Sequence, residues 1–171
     1  MSILNVTEEI YIDNSIVHSE LHSYEPYLPT KLENNDEIII PIHEIEKFTL
    51  PCESFLYIEG KLTKADGTVS KTLSLVNNGI AYLFKEIRYQ LNGVTIDSVR
   101  DVGLTSTLKG YLSYNKNESN RLKNAGWFPT ETVVTGTTTT TTRSTIIDEK
   151  TGLFNVCIPL KMLMGFFEDY K

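Results

Sequence analysis

Histidines, cysteines and paired acids are the residues of this chain whose types could do chemistry. His18 and His22 stand four apart. On a helix that spacing would put both imidazoles on one face, as metal ligands require. Pro26 and Pro29 lie close by and no helical apolar stripe surrounds the pair, so both read as solvated surface residues. His43 follows an alternating run and reads as an edge or loop residue. A metal-dependent enzyme built on facing strands would want a His-x-His pair and a carboxylate, and no His-x-His occurs. Cys52 and Cys157 are about a hundred residues apart, with no C-x-x-C spacing to suggest zinc. A disulfide between neighbouring strands is one reading, and two buried free thiols are the favoured one. Neither G-x-G-x-x-G nor G-x-x-x-x-G-K is present to cradle a phosphate. Glu8-Glu9 and Glu168-Asp169 are acidic pairs that nothing in the sequence brings together. Tyr24 and Tyr27, among prolines, could form a sugar- or peptide-stacking platform, but a packing arm is the simpler reading. No catalytic residue, cofactor or metal is expected, and the chain reads as a non-enzyme.

Bulk properties narrow the partners. The net charge is −6, and the 16 Lys and Arg are scattered along the chain. That disfavours a basic groove neutralising phosphates, so direct nucleic-acid binding is not expected. The start, MSILNVTEEI, lacks the basic residues and apolar core of a signal peptide. The longest apolar candidate, Leu153 to Phe167, is broken by Asn155, Pro159 and Lys161, short of a membrane span. A soluble chain made in the cytosol is expected, where the sequons at Asn5 and Asn117 carry no glycan. A length of 171 residues suits a single domain that needs no staples.

The elements that would position these residues are mostly strands. The clearest signal is Asn92-Gly93 between two alternating runs, the sequence of a two-residue type I′ hairpin. That turn predicts Leu91 opposite Val94, Gln90 opposite Thr95, Tyr89 opposite Ile96 and Arg88 opposite Asp97. Further strands are predicted at Glu9–Asp13, at Ile38–Ile42 with Pro41 marking an edge or bulge, at Phe55–Lys64, at Val69–Val76 and from Phe154 to Leu160. Leu104, Leu108, Tyr111 and Leu112 fall at helical spacing on one stripe and predict a helix over 101–114 with Asp101 at its N-cap. A second short helix is predicted over 117–125, ending at Gly126, followed by a packed corner at Trp127-Phe128-Pro129.

Residues 130–145 contain six consecutive threonines and read as a long exposed loop, because a uniform run sets no register; a glycosylated, mucin-like segment is the lesser alternative. Residues 1–29 read as an extended N-terminal arm pinned by prolines, and 30–171 as one domain. Seven or eight short strands with one or two helices in the middle predict an all-β antiparallel β-sandwich of jelly-roll type.

Several stretches together resemble the N-terminal jelly roll of double-jelly-roll major capsid proteins of Polinton-like elements, adintoviruses and virophages. They are Ser54 to Gly60, Val76-Asn77-Asn78-Gly79 through Leu83-Phe84, Glu86 to Gly93, Val102-Gly103-Leu104 to Tyr114, and Phe154 to Met164. The likeness spans about 24–171 and lies in hydrophobic and turn positions. It implies a capsid protein of the virion, made in the host cytoplasm. Its partners would be copies of itself, as a trimer or an edge-paired assembly, and other capsid proteins. Proteins of that family carry two jelly rolls, so the resemblance also implies a truncated piece or a naturally short derivative with an open sheet edge. A β-sandwich binding module for carbohydrate or a protein partner is the alternative.

Overall fold

The computed structural model describes residues 17–27, 36–43, 47–69, 75–129, 132–135, 138–141, 146–148 and 150–169. The chain divides into two units, Met1–Phe48 and Thr49–Lys171. In the first, the described backbone is irregular apart from one antiparallel bridge, Tyr27 to Ile39. Among the described residues, the strand predicted at Ile38–Ile42 shows only that single bridge. Pro41 has no N–H for a ladder, which accounts for the shortness. The strand predicted at Glu9–Asp13 lies outside the described residues, as does most of the one predicted at Val69–Val76.

The second unit pairs distant segments. Strand β1 (Phe55–Lys61) runs antiparallel to β6 (Leu153–Pro159), with Leu56 opposite Ile158 and Ile58 opposite Val156. Period-two alternation puts these four on the inner face and Phe55, Tyr57 and Cys157 on the outer one. Opposite Gly60 stands Phe154, whose ring covers the space a Cβ would take. The β1 strand stops at Lys61, short of the predicted end, and Leu62 instead donates its N–H to Gly152 at 2.8 Å.

Strands β2 (Glu86–Leu91) and β3 (Val94–Arg100) form the predicted hairpin, with Asn92 and Gly93 at φ of 50° and 78°. Leu91–Val94 and Gln90–Thr95 pair as expected. Beyond them the predicted register is corrected by a bulge at Ile96, so Tyr89 faces Asp97 and Arg88 faces Ser98. The Arg88–Asp97 pair is not made. Glu86 instead sits 3.8 Å from both Arg88 and Arg100. A bulge re-aims the side chains that follow it. Here it turns Asp97 inward, where its Oδ2 accepts the N–H of Phe166 at 2.9 Å. Asp97→Ala removes a charge-assisted bond and is expected to lower stability by about 1–2 kcal/mol, read as a lower urea midpoint.

Helix α1 (Val102–Ser113) follows at once, then α2 (Lys116–Arg121) and a 3₁₀ turn, Leu122–Ala125, closed by Gly126 at φ 88°. Asn115 caps α2 with a full capping box to Glu118. Asp101 holds the N-cap position of α1, but its side chain makes no cap bond, because its backbone is left-handed at φ 48°. The threonine-rich stretch read as a loop contains a two-stranded pairing, β4 (Thr132–Thr135) with β5 (Thr138–Thr141). Threonine's β-branched side chain favours that extended backbone. Short helices α3 (Leu160–Leu163) and α4 (Phe166–Asp169) complete the unit.

The described strands thus form three two-stranded antiparallel sheets with few short helices, an arrangement that fits a β-sandwich. The core gathers Ile80, Val102, Trp127, Val156, Ile158, Met162 and Phe167. Ile87, Tyr89 and Val99 of the hairpin and Leu56 and Ile58 of β1 pack against it.

Candidate assembly surface

The residues with chemical potential do not converge. His18 and His22 flank Glu20, at 3.3 and 2.7 Å, and Lys47 Nζ donates to the same carboxylate at 2.8 Å. Lys47, then the two histidines, hold the Glu20 carboxyl down to about 2. An ammonium 3.1 Å from His22 Nε2 occupies the place a cation would need. His43 is exposed, and among the described residues no metal-binding cluster of His, Cys, Asp or Glu forms. Cys52 and Cys157 are free thiols, half-buried and exposed rather than both buried, because Cys157 points out from the β6 face. Glu168 pairs with Lys109 at 2.5 Å and Asp169 is exposed, while Glu8 and Glu9 lie outside the described residues. Tyr24 is half-buried, and Tyr27, which bridges to Ile39, is exposed.

A shallow groove of about 640 Å³ runs along Glu59, Lys61, Asp148 and Asn155. Asp148 is engaged by its own turn, accepting from Lys150 N–H and Thr151 Oγ1, which lowers its pKa. Tyr57 donates its hydroxyl to Glu59, and that bond raises the phenol's pKa. These are pairwise surface contacts, with no nucleophile and base aimed at one point.

What the residues do build is a rigid packing frame. Asn77-Asn78-Gly79 is its hinge. Asn78 adopts the left-handed conformation at φ 57°, which asparagine tolerates better than most residues. Its buried Nδ2 donates to Ser106 Oγ at 2.7 Å and Thr107 Oγ1 at 3.0 Å, and its backbone N–H donates to Gly126 O. Asn77 Oδ1 accepts the Phe128 N–H at 2.6 Å, and its Nδ2 donates to Tyr111 Oη at 3.0 Å. One dipeptide therefore ties α1 to the Trp127 corner. Trp127, 1% exposed, packs against Tyr111 and Tyr114 and donates Nε1–H to Ser119.

The predicted stripe of α1 forms, and this frame places it outside the core. Val102, Gly103, Ser106 and Gly110 face the core, whereas Leu104 (54%), Leu108 (56%), Tyr111 (55%) and Leu112 (87%) are exposed. A Cβ on Gly110 would lie 2.3 Å from the Trp127 ring, and one on Gly103 equally close to Tyr82. Only that small-residue face lets these rings approach the helix axis. Apolar periodicity selects the bulky stripe. The usable signal was the opposing small residues at Gly103, Ser106 and Gly110.

Tyr114 is half-buried beside this frame, and burial, then Glu168 and Glu118, pushes its phenol up to about 12 from 10.0. The neutral form is favoured in the folded state, so its contribution is complete below pH about 10 and is lost as pH rises towards about 12. Tyr114→Phe is expected to flatten stability across that alkaline window, as measured by urea unfolding at several pH values.

The comparisons follow this geometry. No curated protein and no solved structure matches the chain. A sequence model of the family described as double jelly roll-like domain matches residues 73–171. That match takes in the Asn77-Asn78 hinge, the hairpin, α1, the Trp127 corner and β6, and begins after β1. It covers more than half of the chain, which belongs to the double jelly roll-like domain family.

Proposed function

We propose that this chain is a structural, non-enzymatic subunit that acts by self-assembly into a viral shell. On this reading it is the first jelly roll of a major capsid protein of the Polinton-like, adintovirus or virophage type. The carrying observation is that the family match falls on residues whose roles are turning, capping and packing, from Asn77 through Met164. A wall is made of such residues. An acidic net charge of −6 suits a wall better than a nucleic-acid binder.

The organisation proposed is an N-terminal arm over 1–29 and a jelly roll over 30–171. Partners are further copies, as a trimer or through edge pairing, and other capsid proteins. The destination is the virion, after synthesis in the host cytoplasm. Edge pairing is supported by β1 and β6, whose outer edges carry no further ladder among the described residues.

Negative-stain electron microscopy of the purified protein tests this reading. Trimers, sheets or shells are expected. Dispersed single subunits, together with saturable binding on a glycan array, would favour the binding-module alternative instead.

A further inference from the structure

The chain carries two Asn-Gly dipeptides, Asn78-Gly79 and Asn92-Gly93, and both asparagines are left-handed, at φ 57° and 50°. An asparagine followed by glycine is open to attack by the glycine's backbone nitrogen on its own carboxamide, because no side chain shields that N–H. With the same dipeptide at both places, the surrounding structure decides which one reacts.

The attack needs the glycine nitrogen beside the asparagine Cγ. A left-handed asparagine turns that nitrogen away from its Cβ, and a flip of the intervening peptide plane brings it round. In a hairpin this flip converts a type I′ turn to type II′, taking the first residue's ψ from about +30° to about −120°. Both turns close the same two-residue hairpin, so the Leu91–Val94 pairing survives the change. Gly93 passes from φ 78° to a negative φ, and glycine accepts both.

Nothing holds the Asn92–Gly93 peptide still. It lies between β2 and β3, and both residues are exposed. Among the described residues no hydrogen bond engages its C=O, its N–H or the Asn92 carboxamide. A Cβ on Gly93 would meet nothing within 4 Å. The Asn78–Gly79 peptide is fixed on both sides. Its C=O accepts the Ala81 N–H at 3.0 Å, and its N–H donates to Val76 O at 2.9 Å. The Asn78 carboxamide is buried, with Nδ2 bonded to Ser106 and Thr107.

We infer that Asn92 is a site of spontaneous deamidation in the folded protein and that Asn78 is protected from it. Solvent base takes the Gly93 amide proton, and the nitrogen bonds to Asn92 Cγ. The Cγ–Nδ2 bond breaks, and the carboxamide nitrogen takes up a proton and leaves as ammonia. Water then opens the cyclic imide at one of its two carbonyls. Opening at Cγ leaves aspartate. Opening at the backbone carbonyl leaves isoaspartate, whose chain continues through Cγ. Nothing is oxidised or reduced. Either product puts a new carboxylate on the exposed hairpin tip. Isoaspartate also adds a methylene to the turn that sets this hairpin's register. Ile87, Tyr89 and Val99 reach the core through that register, so conversion loosens the hairpin's hold on it.

Peptide mapping by mass spectrometry of the intact chain, aged in mildly alkaline buffer, tests this. Exchange of NH2 for OH is expected at least about tenfold faster at Asn92 than at Asn78, where hydrogen bonds must break before the peptide can flip. Fragmentation is expected to find isoaspartate as well as aspartate at position 92. In urea that unfolds the chain, the two sites are expected to convert at similar rates. Asn78 keeping pace with Asn92 in the folded chain overturns the inference. So does an Asn92 that stays intact while the unfolded chain converts, because the hairpin then locks its peptide in the type I′ form. A difference that persists unchanged in urea overturns it too, since the neighbouring residues and not the fold would then choose the site. Aspartate alone at position 92 excludes the imide and overturns the route.

Discussion

Replacing Trp127 with alanine is expected to remove about 3–5 kcal/mol of stability, much of what a small domain possesses. The indole is 1% exposed and meets four residues drawn from α1, its C-terminal cap and α2. Its ring lies over Gly110 of α1, contacts Tyr111 and Tyr114, and donates Nε1–H to Ser119 of α2. No neighbour can collapse into the space, because Asn77 and Asn78 hold the corner and the helix at fixed separation. Both a lower urea midpoint and loss of near-ultraviolet circular dichroism are expected. Trp127→Phe keeps the ring contacts, loses the Ser119 bond, and is expected to cost about 1–2 kcal/mol. Equal losses for the two variants would contradict a packing role for the full indole.

The second large effect is expected at Gly152, where the chain re-enters β6. Its φ is +72°, and a Cβ there would lie 2.6 Å from the Leu62 carbonyl oxygen and 3.3 Å from Val69. The backbone cannot step aside, since Leu62 N–H donates to Gly152 O at 2.8 Å and Gly152 N–H to Asp148 O at 2.7 Å. Gly152→Ala therefore incurs about 1–2 kcal/mol for left-handed backbone and about 1–3 kcal/mol more for overpacking against a backbone atom. Gly67 supplies the control. It has φ +80° with nothing within 4 Å of a Cβ, so Gly67→Ala shows the conformational part alone. The difference between the two variants in urea unfolding measures the clash, and a difference near zero would contradict the closure of β1 on β6 at this point.

The legible parts of the fold were local. Asn92-Gly93 announced its turn because few residues accept two successive positive φ angles, and Gly126 marked the end of the second helical stretch, whose Asn115 cap went unread. Strand β6 showed in its alternation, with Val156 and Ile158 inward. What failed depended on distant partners. The bulge at Ile96 exists because Asp97 satisfies Phe166, sixty-nine residues away, and nothing between Tyr89 and Asp97 encodes that demand. The buried face of α1 was not legible, because helical periodicity says which side chains share a face and not which face is buried. Trp127 and Tyr82 reverse the usual rule by packing on glycines. Among the chemically capable residues, the absence of His-x-His and C-x-x-C spacing was readable, but the gathering of His18, His22 and Lys47 around Glu20 was not. Lys47 comes from twenty-seven residues further on.

The proposed role requires the chain to find copies of itself. Sedimentation velocity of the purified chain across a wide dilution series tests that requirement most directly. Faster-sedimenting species that grow with concentration are the predicted result, and a single boundary of monomer mass at every dilution would contradict it.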